Sequence, residues 1–394
     1  MKRKKGNSAP SSSYTTDADN SAALRQAIAE HKAGRLQDAE RLYREVLAVH
    51  PDYVPALQYY GMLANQTRRH DLAVQLISKA VSLSPNDSFA HSNLGNVLQD
   101  QGHLDDAIAS YRRAIEINPD HPDAHNNLGN ALKEKGLLDE ALDSYQRAIE
   151  IDPGYLKAHS NQGNALTEQG RLQEAIIAYR RALVLDPGHA GTHSNLATTL
   201  LLAGDFPDGW EEYEWRWQGH GWVKRSYGYP VWDGASLQDK TLLVLAEQGI
   251  GDEIMFASCF PDLLARVRSL IIQCDPRLAP LFQRSFPDAL VHGGIRGEDS
   301  AWLAEFPAID VEISAGSIPR YLRSTVSSFP RQGRYLIADP MHIEKWRSRY
   351  RGLGRGITVG ISWRGGQAFE ARKRLVALHR WRDVVRLHDV QFIN

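Results

Sequence analysis

The stretch HSNLGNVLQDQGHLDDAIASYRRAIEINPD at residues 91–120 decides the fold, because HNNLGNALKEKGLLDEALDSYQRAIEIDPG repeats it at residues 125–154, 34 positions on. Outward from that pair the same interval runs through Pro51, Pro85, Pro119, Pro153 and Pro187. It also runs through Gly61, Gly95, Gly129 and Gly163, and through Ala39, Ala73, Ala107, Ala141 and Ala175. Tyr43, Tyr111, Tyr145 and Tyr179 keep the phase, with Ile77 standing in the second copy. Several independent series in one register mean an internal repeat. Each copy reads as a helical hairpin. Gly lies where the second helix crosses the first, Ala serves the same approach from the other side, and Tyr fills the gap between neighbouring units. Pro stops the second helix. One hairpin cannot bury its apolar face alone, so the copies are predicted to stack into a curved solenoid with a concave groove.

This pattern resembles the tetratricopeptide (TPR) repeat family over about residues 20–223, as five full repeats and a degenerate sixth from about Gly191, with Ala197 at the Gly position. The first helices read HSNLGNVL, HNNLGNAL, HSNQGNAL and HSNLATTL, which sets Asn93, Asn127, Asn161 and Asn195 in one series. Asn96, Asn130 and Asn164 form a second series three residues on. Positions three apart share a helix face, so the two series make one polar stripe. An Asn amide both donates and accepts, which suits the backbone of an extended peptide. Asn is also a poor mid-helix residue, so its repetition needs a reason. Either the stripe is a peptide-binding groove, or each Asn tolerates solvent and bonds its neighbour. The repeats resemble those of the O-linked N-acetylglucosamine transferases, and that resemblance implies an asparagine ladder and a protein or peptide partner. His91, His125, His159 and His193 share the 34-residue interval. Successive copies lie about a helix diameter apart, too far to converge on one ion, so these read as packing residues and no metal is expected.

At 394 residues and roughly 150 per domain, the chain has room for two or three domains. A composition of 42% hydrophobic and 24% charged residues is that of a soluble globular protein. No run approaches the ~18 apolar residues of a membrane span. Lys2, Arg3, Lys4 and Lys5 precede Gly, Ser and Pro rather than an apolar segment, so residues 1–19 read as a disordered tail and not a secretory signal. Two cysteines without a CxxC point to a reduced, cytoplasmic protein. Counting Lys and Arg against Asp and Glu, residues 11–220 sum to −11, residues 221–330 to −3 and residues 331–394 to +9. That balance argues against nucleic acid as a general partner and allows a local anion site near the C-terminus. Trp210, Trp215, Trp217, Trp222 and Trp232 cluster at the junction. They read as a hydrophobic cap on the last repeat and glue to the next domain, in preference to a carbohydrate platform.

Beyond Lys240 the period changes. TLLVLA (241–246), SLIIQC (269–274), residues 290–292, residues 309–313 and ITVGISW (357–363) read as strands. Helices are expected over 253–266, kinked at Pro261, over 276–285 and over 340–350. Alternating strands and helices predict a doubly wound α/β sheet. Gly249-Ile250-Gly251 follows the first strand like half a dinucleotide fingerprint, with Asp275 where a ribose partner would sit. Ile254 replaces the third glycine, and Asp252 puts negative charge where pyrophosphate would lie, which disfavours a nicotinamide or flavin cofactor.

WDG, LLVLAEQGIGDEIMFASCFPDLL and the distant ITVGISWRGG resemble bacterial TPR proteins whose C-terminal part is similar to lipopolysaccharide heptosyltransferases. The resemblance implies a GT-B fold of two Rossmann-like halves, no cofactor, and a nucleotide-sugar donor held mainly by the second half. It makes Asp252 the base that deprotonates an acceptor hydroxyl, against an ordinary helix-capping role. Gly249 and Gly251 would line the acceptor turn. Arg364, Gly365, Gly366 and Arg374, with Arg372 and Lys373, would lie beside the donor phosphates, against a plain basic loop. The expected order is a tail (1–19), a TPR solenoid (20–223), a Rossmann-like N-terminal half (224–340), and a linker helix with the opening of a truncated second half (341–394). The expected function is sugar transfer to a protein or glycan hydroxyl, with the groove recruiting the acceptor. The alternative is a non-catalytic interaction scaffold with a vestigial α/β domain.

Overall fold

The structure is a computed structural model that describes residues 17–219, 223–294, 299–331, 334–351, 357–360 and 390–393. It divides into two compact units at Val223 and Lys224. The first holds six helical hairpins: α1 (Asp17–Lys32) with α2 (Leu36–Val49), α3 (Val54–Gln66) with α4 (His70–Leu83), and α5 (Ser88–Asp100) with α6 (Leu104–Ile117). They continue as α7 (Pro122–Glu134) with α8 (Leu138–Ile151), α9 (Leu156–Glu168) with α10 (Leu172–Leu185), and α11 (Ala190–Ala203) with the short α12 (Phe206–Tyr213). A last turn, α13 (Arg216–Gly219), follows. Helix α1 begins at Asp17, inside the stretch read from the sequence as tail.

The periodic residues account for this geometry. A Cβ added at Gly129 would stand 2.5 Å from the Tyr145 ring, and one at Gly95 2.6 Å from that of Tyr111. Glycine is therefore the seat of the tyrosine of its own hairpin, where the sequence suggested only a filler between units. These rings are fully buried and also meet the next repeat, as Tyr111 joins Leu128 and Ala131 in one core cluster. In the second hairpin Ile77 takes the ring's place over Gly61. Each hairpin turn carries one left-handed residue. It is glycine in five cases, such as Gly102 at φ 82°, and Arg68 at φ 59° in the second hairpin. Successive first helices touch one another, whereas successive second helices are joined mainly through the first helix between them. The first helices therefore line the inner side of the stack.

The second unit is built on a parallel sheet. Its order is β1 (Thr241–Leu245), α14 (Ile250–Phe256), α15 (Phe260–Leu264), β2 (Ser269–Cys274), α16 (Ala279–Ser285), β3 (Leu290–Gly293), β4 (Val311–Ser314), α17 (Pro319–Leu322) and α18 (Pro340–Arg351). Two further strands, β5 (Ile357–Gly360) and β6 (Val390–Ile393), pair in parallel with each other. The main sheet runs β3-β2-β1-β4, so the chain steps outward one way and returns on the other side of β1. Pro261 sits at the start of α15, and a 3-10 turn at Ala257–Cys259 splits the single helix expected there. The face carrying Leu243, Leu245 and Ile271 is covered by Tyr227, Tyr229, Phe306 and the 3-10 turn Ala301–Glu305, where a doubly wound sheet would carry helices. Buried Glu312 anchors that cover, accepting from the Tyr227 N–H at 3.0 Å and from Ser226 Oγ.

Candidate functional site

The asparagine stripe lies on α5, α7, α9 and α11, and most of it is internally bonded. Asn96 Oδ1 accepts from the Tyr111 hydroxyl at 2.8 Å and from Asn127 Nδ2 of the next repeat at 3.0 Å. Asn164 Oδ1 repeats this with Tyr179 at 2.7 Å and Asn195 Nδ2 at 2.9 Å. Asn130 Oδ1 accepts from Tyr145 at 2.8 Å, while Asn161 Nδ2 turns to Asn126 Oδ1 at 2.9 Å. The residue missed by the sequence pattern is therefore Asn126, which is buried and also donates to Asn127 at 3.1 Å. One amide carbonyl thus ties both helices of a hairpin to the following hairpin. A mid-helix Asn has its reason in this spine. Yet the Nδ2 groups of Asn96, Asn130 and Asn164 have no partner among the described residues, and all three side chains are half-buried at the inner face. Each can still donate two hydrogen bonds outward. Asn93 keeps the same register, and its side chain has no hydrogen-bond partner among the described residues.

The histidine series is structural. Nε2 of His91, His125, His159 and His193 lies 2.9–3.1 Å from the carbonyl of the proline six residues earlier, pinning the turn between repeats. Burial lowers the pKa of His125, and likewise that of His121. At the end of the stack the His193 ring lies flat on Trp215, centroids 3.8 Å apart, with Nδ1 on Glu212. Arg216, buried, sits 4.5 Å from the Tyr213 centroid and 4.4 Å from that of Trp217. These rings close the last repeat. Trp232 belongs to the second unit, tilted against Tyr321, and Trp222 lies outside the described residues.

In the second unit, Asp252 Oδ2 accepts from the Gly249 N–H at 3.0 Å, so this carboxylate serves as the helix cap of α14. Glu253 points inward and accepts from the Asp275 N–H at 2.8 Å, and Asp275 is paired with Arg277 at 2.9 Å. A side chain at Gly251 would meet open space, so nothing nearby demands glycine there. The crowded position is Gly316, just beyond β4, where a Cβ would stand 2.1 Å from Oε1 of the buried Glu247. Gln248, next to it, has φ 62°. Glu247, with Gln248 bonded to it, meets Gly316 at the C-terminal ends of β1 and β4, between which the strand order reverses. The strand order needed to find them was not written in the sequence. Arg364, Gly365, Gly366, Arg372, Lys373 and Arg374 lie outside the described residues. Burial pushes the thiol of Cys259 up to about 11 and that of Cys274 up to about 12, and both are unpaired. Among the described residues no helix is long and apolar enough to cross a membrane.

Tetratricopeptide repeat profiles match residues 24–88, 92–155 and 156–189. Protein FlbA of Caulobacter vibrioides is 31% identical over 211 residues, 50% of this chain and 35% of FlbA. Human tetratricopeptide repeat protein 7B is 34% identical over 80 residues, 20% of this chain and 9% of that protein. The chain therefore spans about a third of FlbA and about a tenth of the human protein. Among solved structures, MamA is 26% identical, with 44% of this chain and 96% of MamA covered at a TM-score of 0.37. YrrB, a TPR protein with an unusual peptide-binding site, is 20% identical, with 45% and 91% covered at a TM-score of 0.36.

Proposed function

We propose, from the premise that tetratricopeptide repeats fill residues 24–189, that this protein is an interaction scaffold that holds an extended protein segment along the inner face of its solenoid. The observation that carries this reading is the row of outward amide donors on Asn96, Asn130 and Asn164, whose carbonyls are fixed by tyrosines. An oriented donor once per repeat, held by the fold itself, loses little entropy when a peptide carbonyl arrives. The test uses Asn96→Asp, Asn130→Asp and Asn164→Asp together, which keep an acceptor for each tyrosine and remove the donor. Uncharged peptides, selected on the wild-type protein from a library without Asp, Glu, Lys or Arg so that the three added charges do not attract them, should bind the triple variant at least about tenfold more weakly. Unchanged affinity would refute the reading.

Sugar transfer is the second reading, favoured by one observation. The turn 247–252 leaves β1 at the switch point of a parallel sheet, where such sheets take their ligands. In this reading the second unit is the acceptor-side half of a GT-B glycosyltransferase. Asp252 is the base, Gly249 and Gly251 line its turn, and a nucleotide-sugar binds through Arg364, Gly365, Gly366 and Arg374. Asp252 already spends one oxygen on its cap, so Asp252→Asn should lower transfer at least about a hundredfold while preserving the fold. Transfer within a few-fold of wild type would leave it a cap only. Unpaired buried thiols favour a reducing compartment such as the cytoplasm.

A further inference from the structure

The inner face changes character along its length. Where the third to fifth repeats place Asn93 and Asn96 or their equivalents, the second repeat places Tyr59 and Met62, and Met62 is 41% exposed. One helical turn beyond each outward amide stands a carboxylate: Asp100, Glu134 and Glu168, all exposed. Each is held by the residue 35 positions earlier in the preceding repeat. Asn65 reaches Asp100 at 2.5 Å, Gln99 reaches Glu134 at 3.2 Å, and Lys133 pairs with Glu168 at 3.4 Å. Among the described residues only the last of these carboxylates meets a cation. Asp100 and Glu134 are oriented by neutral amides and keep their charge for a partner.

We infer that the segment bound along this face carries an apolar side chain over Tyr59 and Met62 and two basic side chains, three residues apart, over Asp100 and Glu134. This rests on the groove reading above and names the chemistry of its ligand. The spacing follows from dimensions. Packed helices stand about 8–10 Å apart, and an extended chain advances about 3.3 Å per residue, so one repeat corresponds to three ligand residues. The apolar residue lies one further repeat along, three residues from the nearer basic one. Methionine, flexible and polarizable, adapts to varied apolar partners, so the anchor should tolerate Leu, Ile or Met. The carboxylates set charge and register.

Fluorescence anisotropy with the full chain tests this, using the labelled peptide Gly-Ser-Gly-Leu-Ser-Gly-Arg-Ser-Gly-Lys-Ser-Gly and its reversed-order twin. Control peptides have both basic residues changed to Glu, the Leu changed to Ser, or the two basic residues made adjacent. The better of the two orders should bind at least about tenfold more tightly than its acidic control, with salt weakening it, and several-fold more tightly than the other two controls. The protein variant Asp100→Asn with Glu134→Gln should remove most of the charge preference, and Met62→Ser most of the Leu preference. Equal binding of all the peptides would overturn this inference while leaving the groove reading intact. A preference for the acidic control would overturn it too, as would an unchanged preference in the Asp100/Glu134 variant. No binding by any of them would overturn both readings.

Discussion

The two units use their polar residues in opposite ways. In the solenoid one arrangement is built and copied: a glycine under a tyrosine, the tyrosine on an asparagine, a histidine on a proline carbonyl. In the α/β unit each polar contact occurs once, as with Glu312 on the Tyr227 N–H or Asp252 on that of Gly249. A copied contact reveals its role by recurring, because a residue needed at every junction appears at every junction. A contact made once leaves no such trace. The energetics differ as well, since repeats couple only to neighbours while a sheet core is one cooperative body.

The largest expected effect comes from Tyr145→Ala, which empties a fully buried site above Gly129. It should cost about 3–5 kcal/mol and lower the solenoid's calorimetric transition, with little effect on that of the α/β unit. Next, Glu312→Ala removes the buried anchor of the sheet cover and strands the Tyr227 N–H. A loss of about 1–3 kcal/mol confined to the second transition is expected. If either substitution moved both transitions equally, the contrast between the units would fail.

Acid should act on the solenoid through His121 and His125, whose burial depresses their folded pKa below the ordinary value of 6.5. The unfolded chain then takes up protons first. Stability should fall as pH drops below about 7 and level off beneath the folded pKa. Denaturant titrations at pH 7.5 and 5.5, with and without His125→Gln, measure this, and an equal slope in the variant would exclude His125. The smallest effect is a gain: Arg68→Gly relieves the one non-glycine hairpin turn and should stabilise by about 0.5–1 kcal/mol.

Legibility followed the same division. The hairpins and the packing role of the histidines were readable because Pro51 through Pro187 close the first five units and Gly61 through Gly163 mark the second to fifth, whereas α1 begins at Asp17, inside the stretch read as tail. The asparagines were readable as a stripe but not as a spine, since the Tyr111–Asn96–Asn127 chain joins positions 15 and 31 residues apart whose geometry only the fold supplies. The left-handed turn series through Gly102 and Gly136 was present in the sequence and is explained only by the backbone angle. In the second unit, β1 and β2 were readable as short apolar runs. The order β3-β2-β1-β4, and with it the meeting of Glu247 and Gly316, depends on tertiary pairing that no local pattern encodes.

In the groove reading Asn96, Asn130 and Asn164 are divided residues, the carbonyl of each serving the fold and its amide serving a ligand. Thermal unfolding with and without a saturating selected peptide tests it on Asn96, Asn130 and Asn164 changed together, once to Asp and once to Ala. The claim predicts that the Asp variant melts near the wild-type temperature and gains nothing from peptide. The Ala variant, having lost three tyrosine partners at about 1 kcal/mol each, should melt clearly lower. An Asp variant stabilised by peptide as strongly as wild type, or an Ala variant melting with it, would contradict the claim.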